Sequence, residues 1–193
     1  TLLYNGMIHG LVPYGIKGVT WYQGEANIRD PDSTTYVEKT KALLDYGWRN
    51  LWGYEMPYYF VQLAPYDYWT NVPPDALPRF WEAQSEIVRS IPRTGMAVVS
   101  DTVSNVNDIH PTNKEAPGIR LALLAEAHTY GLNVTSSGPT FRSLSKNGNS
   151  LAVEFDSASG LATRDGVDPT WFEIVGTNGS FMAATAVIAG PVV

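Results

Sequence analysis

Two short polar segments contain the side chains best suited to acid–base chemistry. The first has the sequence QGEAN, at residues 23–27, and directly follows an apolar run. The second has the sequence NDIHP, at residues 107–111, and includes one of only three histidines. His110 precedes a proline, which restricts its backbone to extended or turn conformations, and it stands just before a helical pattern. A histidine fixed in this way suits a general base, and Asp108 and Glu25 are the carboxylates of the two segments.

The same residues also have ordinary structural interpretations. His110 would then be a loop residue on the surface beside helix-capping side chains, and Glu25 a solvated carboxylate or an early helix residue. Glu25, Asp108 and His110 are also of types that bind metals, but no pair has the i, i+4 spacing of a helical metal site. We therefore predict no metal and no cofactor.

The elements around both segments alternate between strands and helices. Apolar runs predict strands over residues 15–22, 57–65 and 94–100, and helical spacing predicts helices over 34–52, 79–90 and 114–130. Asp32 or Ser33 is the expected N-cap of the first helix, with Gly53 as its stop. This alternation predicts a parallel sheet covered by helices on both faces. Ligands bind beyond the carboxyl ends of such strands, which is where both polar segments lie.

The character of the sequence changes after residue 134. Short alternating runs follow, separated by the Asn-Gly pairs at 147–148 and 178–179, which are hairpin signals. They predict about five strands. We therefore expect a partial α/β/α domain over residues 1–134 and a small, sandwich-like all-β segment over residues 135–193.

Composition excludes several classes of function. The 193 residues carry a net charge of -6, which disfavours binding to nucleic acid. No apolar run approaches the roughly 20 residues of a membrane helix, so we expect no membrane partner. The chain has no cysteine, which removes disulfides and thiolate nucleophiles from consideration. The opening residues TLLYNGMIHG have neither a basic start nor a cleavage site, so they do not form a signal peptide.

Several stretches together resemble one family. GVTWYQGEANI, YFVQLA, TGMAVVSD and NDIHPTNKEAPGIRLALLA are similar to sequences of the sialate O-acetylesterase family, a carbohydrate-esterase branch of the SGNH hydrolases. The resemblance extends over essentially the whole chain, and WYQGEAN followed by DIHPTNK is its most specific part. It implies a three-layer α/β/α, flavodoxin-like hydrolase domain followed by a β-rich part.

The resemblance also implies roles for individual residues. His110 is the base that takes a proton from a nucleophilic serine. Gln23 corresponds to an amide that helps to hold the oxyanion, Gly24 gives the backbone room to approach, and Asn27 supports the loop. The acid that orients the imidazole stays open between Glu25 and Asp108, because Asn107 occupies the position where many SGNH enzymes have an aspartate.

The nucleophile of the family has no counterpart in this chain. The family places its serine in an upstream Gly-x-Ser-x-Asn-like element, and no such element occurs here. We expect an N-terminal segment or a companion chain to supply it. An open apolar flank on the sheet is expected where that segment would pack.

The resemblance implies hydrolysis of acetyl esters on sugars, with an O-acetylated sugar as the small-molecule or glycan partner. Tyr66, Tyr68 and Trp69 are then either sugar-stacking residues or residues that pack their own loop. The alternative function is a non-catalytic carbohydrate-binding or accessory module that keeps the esterase scaffold. For either function we expect a secreted or periplasmic protein, or a lysosomal one in a eukaryote.

Overall fold

Three short parallel strands form a sheet in the order β1 (Val19–Trp21), β2 (Tyr58–Val61) and β3 (Thr94–Ala97). They belong to a computed structural model that describes residues 2–29, 35–68 and 72–193. The chain divides into two compact units, Thr1–Ser136 and Ser137–Val193, and the sheet lies in the first. Within the described residues β1 pairs with β2 alone, so its other edge is open.

Helices cover both faces of this sheet. They are α1 (Glu25–Arg29), α2 (Tyr36–Ala42), α3 (Arg49–Trp52), α4 (Ala76–Ser90) and α5 (Glu115–His128). Alternate side chains of β2 face opposite ways, as the period of a strand requires. Tyr58 and Phe60 join a core with Phe80 and Ile87 of α4, whereas Tyr59 packs with Leu124 of α5. The three-layer α/β/α architecture expected from the sequence is confirmed.

The long helix predicted over residues 34–52 is confirmed from Tyr36 onwards. A wider π-helical turn, Leu43–Trp48, connects α2 to α3 without a break. Gly53 ends the helix with a left-handed φ of 75°. The expected N-cap at Asp32 or Ser33 lies outside the described residues.

The strands are shorter than the apolar runs that predicted them. Leu63 and Ala64 are buried, but β2 ends at Val61 and only the Gln62 N–H continues the ladder, to the Ala97 carbonyl. The apolar residues beyond that point are buried because they pack in the core, although they take no part in the hydrogen-bonded ladder of the sheet. Helix α4 begins three residues before the predicted start at 79, because Pro78 is tolerated within a first helical turn.

The second unit consists of antiparallel hairpins. Strands β4 (Thr140–Asn147) and β5 (Ser150–Asp156) form one, and β6 (Phe172–Val175) and β7 (Phe181–Ala184) form the other. Both Asn-Gly pairs lie in the turns, where Gly148 and Gly179 have φ values of 59° and 74°. The predicted hairpins are confirmed. The unit has four strands, and an isolated bridge at Val192 extends the β4–β5 pair.

The helices of the described residues are too short or too polar to cross a membrane.

Candidate functional site

The corner after β1 is shaped by Gly24. Its φ of 155° is a conformation that other residues rarely adopt, and a Cβ atom there would lie 2.8 Å from Cε1 of Phe80. Phe80 is fully buried and packs against Tyr36 at a tilt of 55°, with 4.5 Å between the ring centres, so a shift of its ring would disturb the core. The chain therefore turns sharply from β1 into α1 only because residue 24 has no side chain.

This corner holds the amide of Gln23 in one orientation. Gln23 Nε2 donates a hydrogen bond of 2.9 Å to Oδ1 of Asn27, one turn further along. The Asn27 N–H in turn donates to the Gly24 carbonyl, and the Tyr36 hydroxyl lies 3.5 Å from the Gln23 carbonyl oxygen. An amide nitrogen has two N–H groups, and the bond to Asn27 uses one of them. The other is suited to donate to an oxygen that gains negative charge.

Glu25 places a negative charge beside two phenols. Its Oε2 accepts a hydrogen bond of 3.1 Å from the Gly24 N–H. Burial, with a smaller contribution from the Glu25 carboxylate, raises the pKa of Tyr22. The pKa of Tyr36 is raised by the same two causes, burial being the larger. The Glu25 carboxylate therefore adds to the effect of burial in favouring the neutral form of both neighbouring tyrosines.

The loop after β3 is anchored where it begins. Arg120 of α5 binds both carboxylate oxygens of Asp101, at 2.6 and 2.7 Å, and also donates to the Val98 carbonyl. The hydrogen bonds that Arg120 donates to Asp101 raise the pKa of Arg120 above its usual value. Further along, the Asp67 N–H donates to the Val106 carbonyl at 2.8 Å, which ties this loop to the one after β2.

Asp108 is bonded to the backbone of His110 rather than to its ring. Its Oδ1 accepts a hydrogen bond of 2.9 Å from the His110 N–H. The His110 side chain is exposed, and within the described part of the chain no hydrogen bond or ion pair joins its imidazole to Asp108 or Glu25. The assignment of His110 as base, and of either carboxylate as its acid, stays a prediction.

The two segments are nevertheless linked through residues that the sequence analysis did not select. Lys114 Nζ lies 4.9 Å from the ring centre of Tyr22, over the face of the ring. Tyr22 immediately precedes Gln23, and Lys114 follows His110 by four residues. The sequence carries no signal for this link, because the two residues are far apart in the chain and meet only in the tertiary fold.

Tyr66 and Tyr68, in the loop after β2, pack against each other. Tyr66 and Tyr68 meet edge to face with 4.7 Å between ring centres, and Tyr68 packs on the main core. This favours the loop-packing interpretation for Tyr68. The third aromatic candidate, Trp69, lies outside the described residues.

Among the described residues, a Ser–His contact and the potential metal ligands lie apart from the candidate site or form no site of their own. The Ser136 hydroxyl lies 3.1 Å from Nε2 of His128, at the opposite end of α5 from Lys114. No group of three or more His, Cys, Asp or Glu residues in the described ranges is arranged to hold a metal ion.

Comparison with known proteins identifies relatives. No family model matches the chain. It is 33% identical over 154 residues to the sialate O-acetylesterase of Mus musculus and 32% identical to that of Homo sapiens. Each of the two alignments covers 72% of this chain. It spans only 28% and 29% of the length of those proteins.

A similar solved structure is also that of an acetylesterase. A carbohydrate acetylesterase from Xanthomonas citri superposes with a TM-score of 0.88 at 38% sequence identity. The match covers 98% of this chain and 44% of that one. Over the part of those proteins that it matches, the chain therefore belongs to the sialate O-acetylesterase family.

Proposed function

We propose that the protein containing this chain hydrolyses O-acetyl esters on sugars. The observation that carries the proposal is the corner at Gly24, in which Asn27 holds the Gln23 amide at the carboxyl edge of the sheet. The proposal is supported by the relatives, which are named as acetylesterases of sialate or carbohydrate. The proposed substrate class is accordingly an O-acetylated sugar.

In the proposed reaction a serine hydroxyl attacks the acetyl carbonyl. The serine comes from a segment outside these 193 residues, and His110 takes its proton as the C–O bond forms. The second N–H of the Gln23 amide stabilises the negative charge on the carbonyl oxygen. His110 then gives the proton to the departing sugar oxygen, and a water molecule releases acetate from the serine by the same steps. A side-chain amide in this role is worth about 3 kcal/mol in other enzymes.

The test is hydrolysis of p-nitrophenyl acetate, and then of an O-acetylated sugar, by the full-length protein. His110→Ala should lower kcat by several orders of magnitude without lowering the midpoint of thermal unfolding, because its side chain is exposed. His128→Ala is the matched control, since His128 is an exposed histidine at the far end of α5. Equal kcat for the two variants would remove His110 from the mechanism.

The two candidate acids require separate variants. Glu25→Gln and Asp108→Asn each remove a charge, and the true acid should lose orders of magnitude in kcat while the other loses little. The amide oxygen of Asn can still accept the His110 N–H, so Asp108→Asn preserves the loop contact seen here. A larger loss for Asp108→Ala than for Asp108→Asn would measure the backbone contact rather than the charge.

The accessory-module alternative gives a different result. A full-length protein that binds the acetylated sugar in calorimetry, but releases no acetate from it or from p-nitrophenyl acetate, would be a binding module and would refute the esterase proposal.

A further inference from the structure

The His110 segment, from Asp101 to Asn113, is held by hydrogen bonds at both ends. It contacts the Gln23 corner, residues 23–27, through few residues. The Asp101–Arg120 pair holds its beginning, and the Asn113 side chain accepts the Ala116 N–H at 3.1 Å at its end. The Asp108–His110 bond lies inside the segment and cannot place it relative to the corner. The relative placement of the two halves therefore depends on longer-range contacts.

Tyr22 provides such a contact. Its half-buried ring packs against the buried cluster of Val61, Ala64 and Val99, at the carboxyl ends of β2 and β3. One face of the ring receives the Lys114 ammonium at 4.9 Å. A lysine placed over an aromatic face within about 6 Å is attracted by the electrons of the ring. In the described part of the chain no carboxylate forms an ion pair with Lys114, so the ring is the partner that the structure gives it.

We propose that Tyr22 and Lys114 form a positioning pair that sets the distance between the Gln23 amide and the His110 imidazole. Lys114 follows His110 by four residues and Tyr22 is the residue before Gln23, so a shift of either contact residue moves a candidate site residue with it. The inference rests on the proposed esterase function for its kinetic test. Neither residue touches the substrate in this role.

The positioning role requires the aromatic ring of Tyr22 and a cation at position 114, and nothing else from these two side chains. Tyr22→Phe and Lys114→Arg keep those features, whereas Tyr22→Leu and Lys114→Met remove them at similar size. We expect kcat for p-nitrophenyl acetate to fall about tenfold in Lys114→Met, within the roughly 100-fold that a misplacement of about 1 Å can cost. KM should change little, and Lys114→Arg should restore most of kcat.

The pair should also behave as a unit in the full-length protein. Tyr22→Leu should resemble Lys114→Met, and the double variant should lose no more than either single one. Lys146→Met is the matched control, because Lys146 is an exposed lysine in the second unit. Losses that multiply in the double variant, or failure of Lys114→Arg to restore kcat, would overturn the proposal. A raised KM for acidic sugars with unchanged kcat for p-nitrophenyl acetate would overturn it as well and assign Lys114 to substrate binding.

Amide hydrogen exchange separates this inference from the proposed function. The His110 N–H is bonded to Asp108, so its exchange reports opening of the segment whether or not the protein is an esterase. Lys114→Met and Tyr22→Leu should speed that exchange severalfold, and Lys114→Arg and Tyr22→Phe should not. A protein that hydrolyses no acetyl ester but shows this pattern would refute the proposed function and keep the positioning pair. Equal exchange in all variants would refute the pair.

Discussion

Replacing Gly24 by alanine should destabilise the first unit far more than a single methyl group suggests. The new Cβ would lie 2.8 Å from Cε1 and 3.0 Å from Cζ of Phe80, and real Cβ contacts are longer. A shift of Phe80 would disturb the core, because the ring is fully buried and packs against Tyr36. Overpacking of this kind costs about 1–3 kcal/mol. The backbone conformation at φ 155° adds about 1–3 kcal/mol for any residue with a side chain. We therefore expect a loss of about 4 kcal/mol in the free energy of unfolding.

Two other glycines separate these contributions. Gly131 has a left-handed φ of 71° but no atom within 4 Å of its hypothetical Cβ, so Gly131→Ala should cost only the backbone strain of about 1–2 kcal/mol. Gly118 lies inside α5 with open space around it, and Gly118→Ala should stabilise by about 0.5–1 kcal/mol. The three variants should therefore rank in the order Gly118, Gly131, Gly24 from most to least stable.

Urea denaturation followed by tryptophan fluorescence measures the effect. The single tryptophan of the second unit, Trp171, is 98% exposed, so its emission changes little and the signal reports the first unit. An unchanged dependence of stability on urea would show that the variants unfold between the same states. In a double-mutant cycle, Phe80→Leu should recover about 1 kcal/mol or more in the Gly24→Ala background. A Gly24→Ala variant as stable as Gly131→Ala would refute the steric argument.

Three further predictions concern the ionisation of Tyr58, the Gln23 amide and the β4–β5 hairpin. Burial raises the pKa of Tyr58 far above the value of about 10 that it has when unfolded, so the folded state keeps a proton that the unfolded state loses. The free energy of unfolding should therefore fall as the pH rises above about 10, and Tyr58→Phe should reduce that fall in urea titrations between about pH 8 and 11. Asn27→Ala removes the acceptor that holds Gln23 and should lower kcat for p-nitrophenyl acetate about fivefold to tenfold, whereas Asn27→Asp keeps an acceptor and should lose less; equal values would contradict the role of the bond. Gly148→Ala forces a side chain to φ 59° in a two-residue turn and should cost about 1–2 kcal/mol, seen as faster amide exchange in β4 and β5 alone.

The sequence predicts best the features that depend on neighbouring residues. The helix ending at Gly53 follows from 3.6-residue spacing and a left-handed stop, and the turn at Gly148 follows from an Asn-Gly pair between alternating runs. The strands predicted over 57–65 and 94–100 are too long, because burial and strand pairing are different properties. An apolar run records burial, and Leu63 and Val99 are buried without belonging to a ladder.

The steric reason for Gly24 could not be found in the sequence. The resemblance suggested that Gly24 gives room, but the atom that needs the room belongs to Phe80, on a helix far along the chain. The same holds for Tyr22, whose partner Lys114 is known only once α5 is placed on the sheet. Contacts of this kind depend on the tertiary fold, so the spacing of residues carries no signal for them.

The candidate site is built from two halves that are each held internally. Gln23 is bonded to Asn27, Glu25 to the Gly24 N–H, and Asp108 to the His110 N–H, and every one of these contacts joins residues at most four apart. Local contacts preorganise each half but cannot set the distance between them.

That distance is left to a few long-range contacts. The Lys114–Tyr22 contact joins the two halves, whereas the Asp67–Val106 hydrogen bond and the Asp101–Arg120 pair tie the His110 segment to the loop after β2 and to α5. Residues that form local contacts stand at fixed spacings, so a sequence can suggest candidate residues for a site. It cannot give the geometry between the two halves, which depends on contacts between distant residues. It also follows that weakening the Lys114–Tyr22 contact should change the geometry between the halves and let the His110 segment open more often, while the hydrogen bond between Gln23 and Asn27 stays closed. Loss of activity with faster amide exchange in the His110 segment alone is therefore the signature of a weakened contact between the halves.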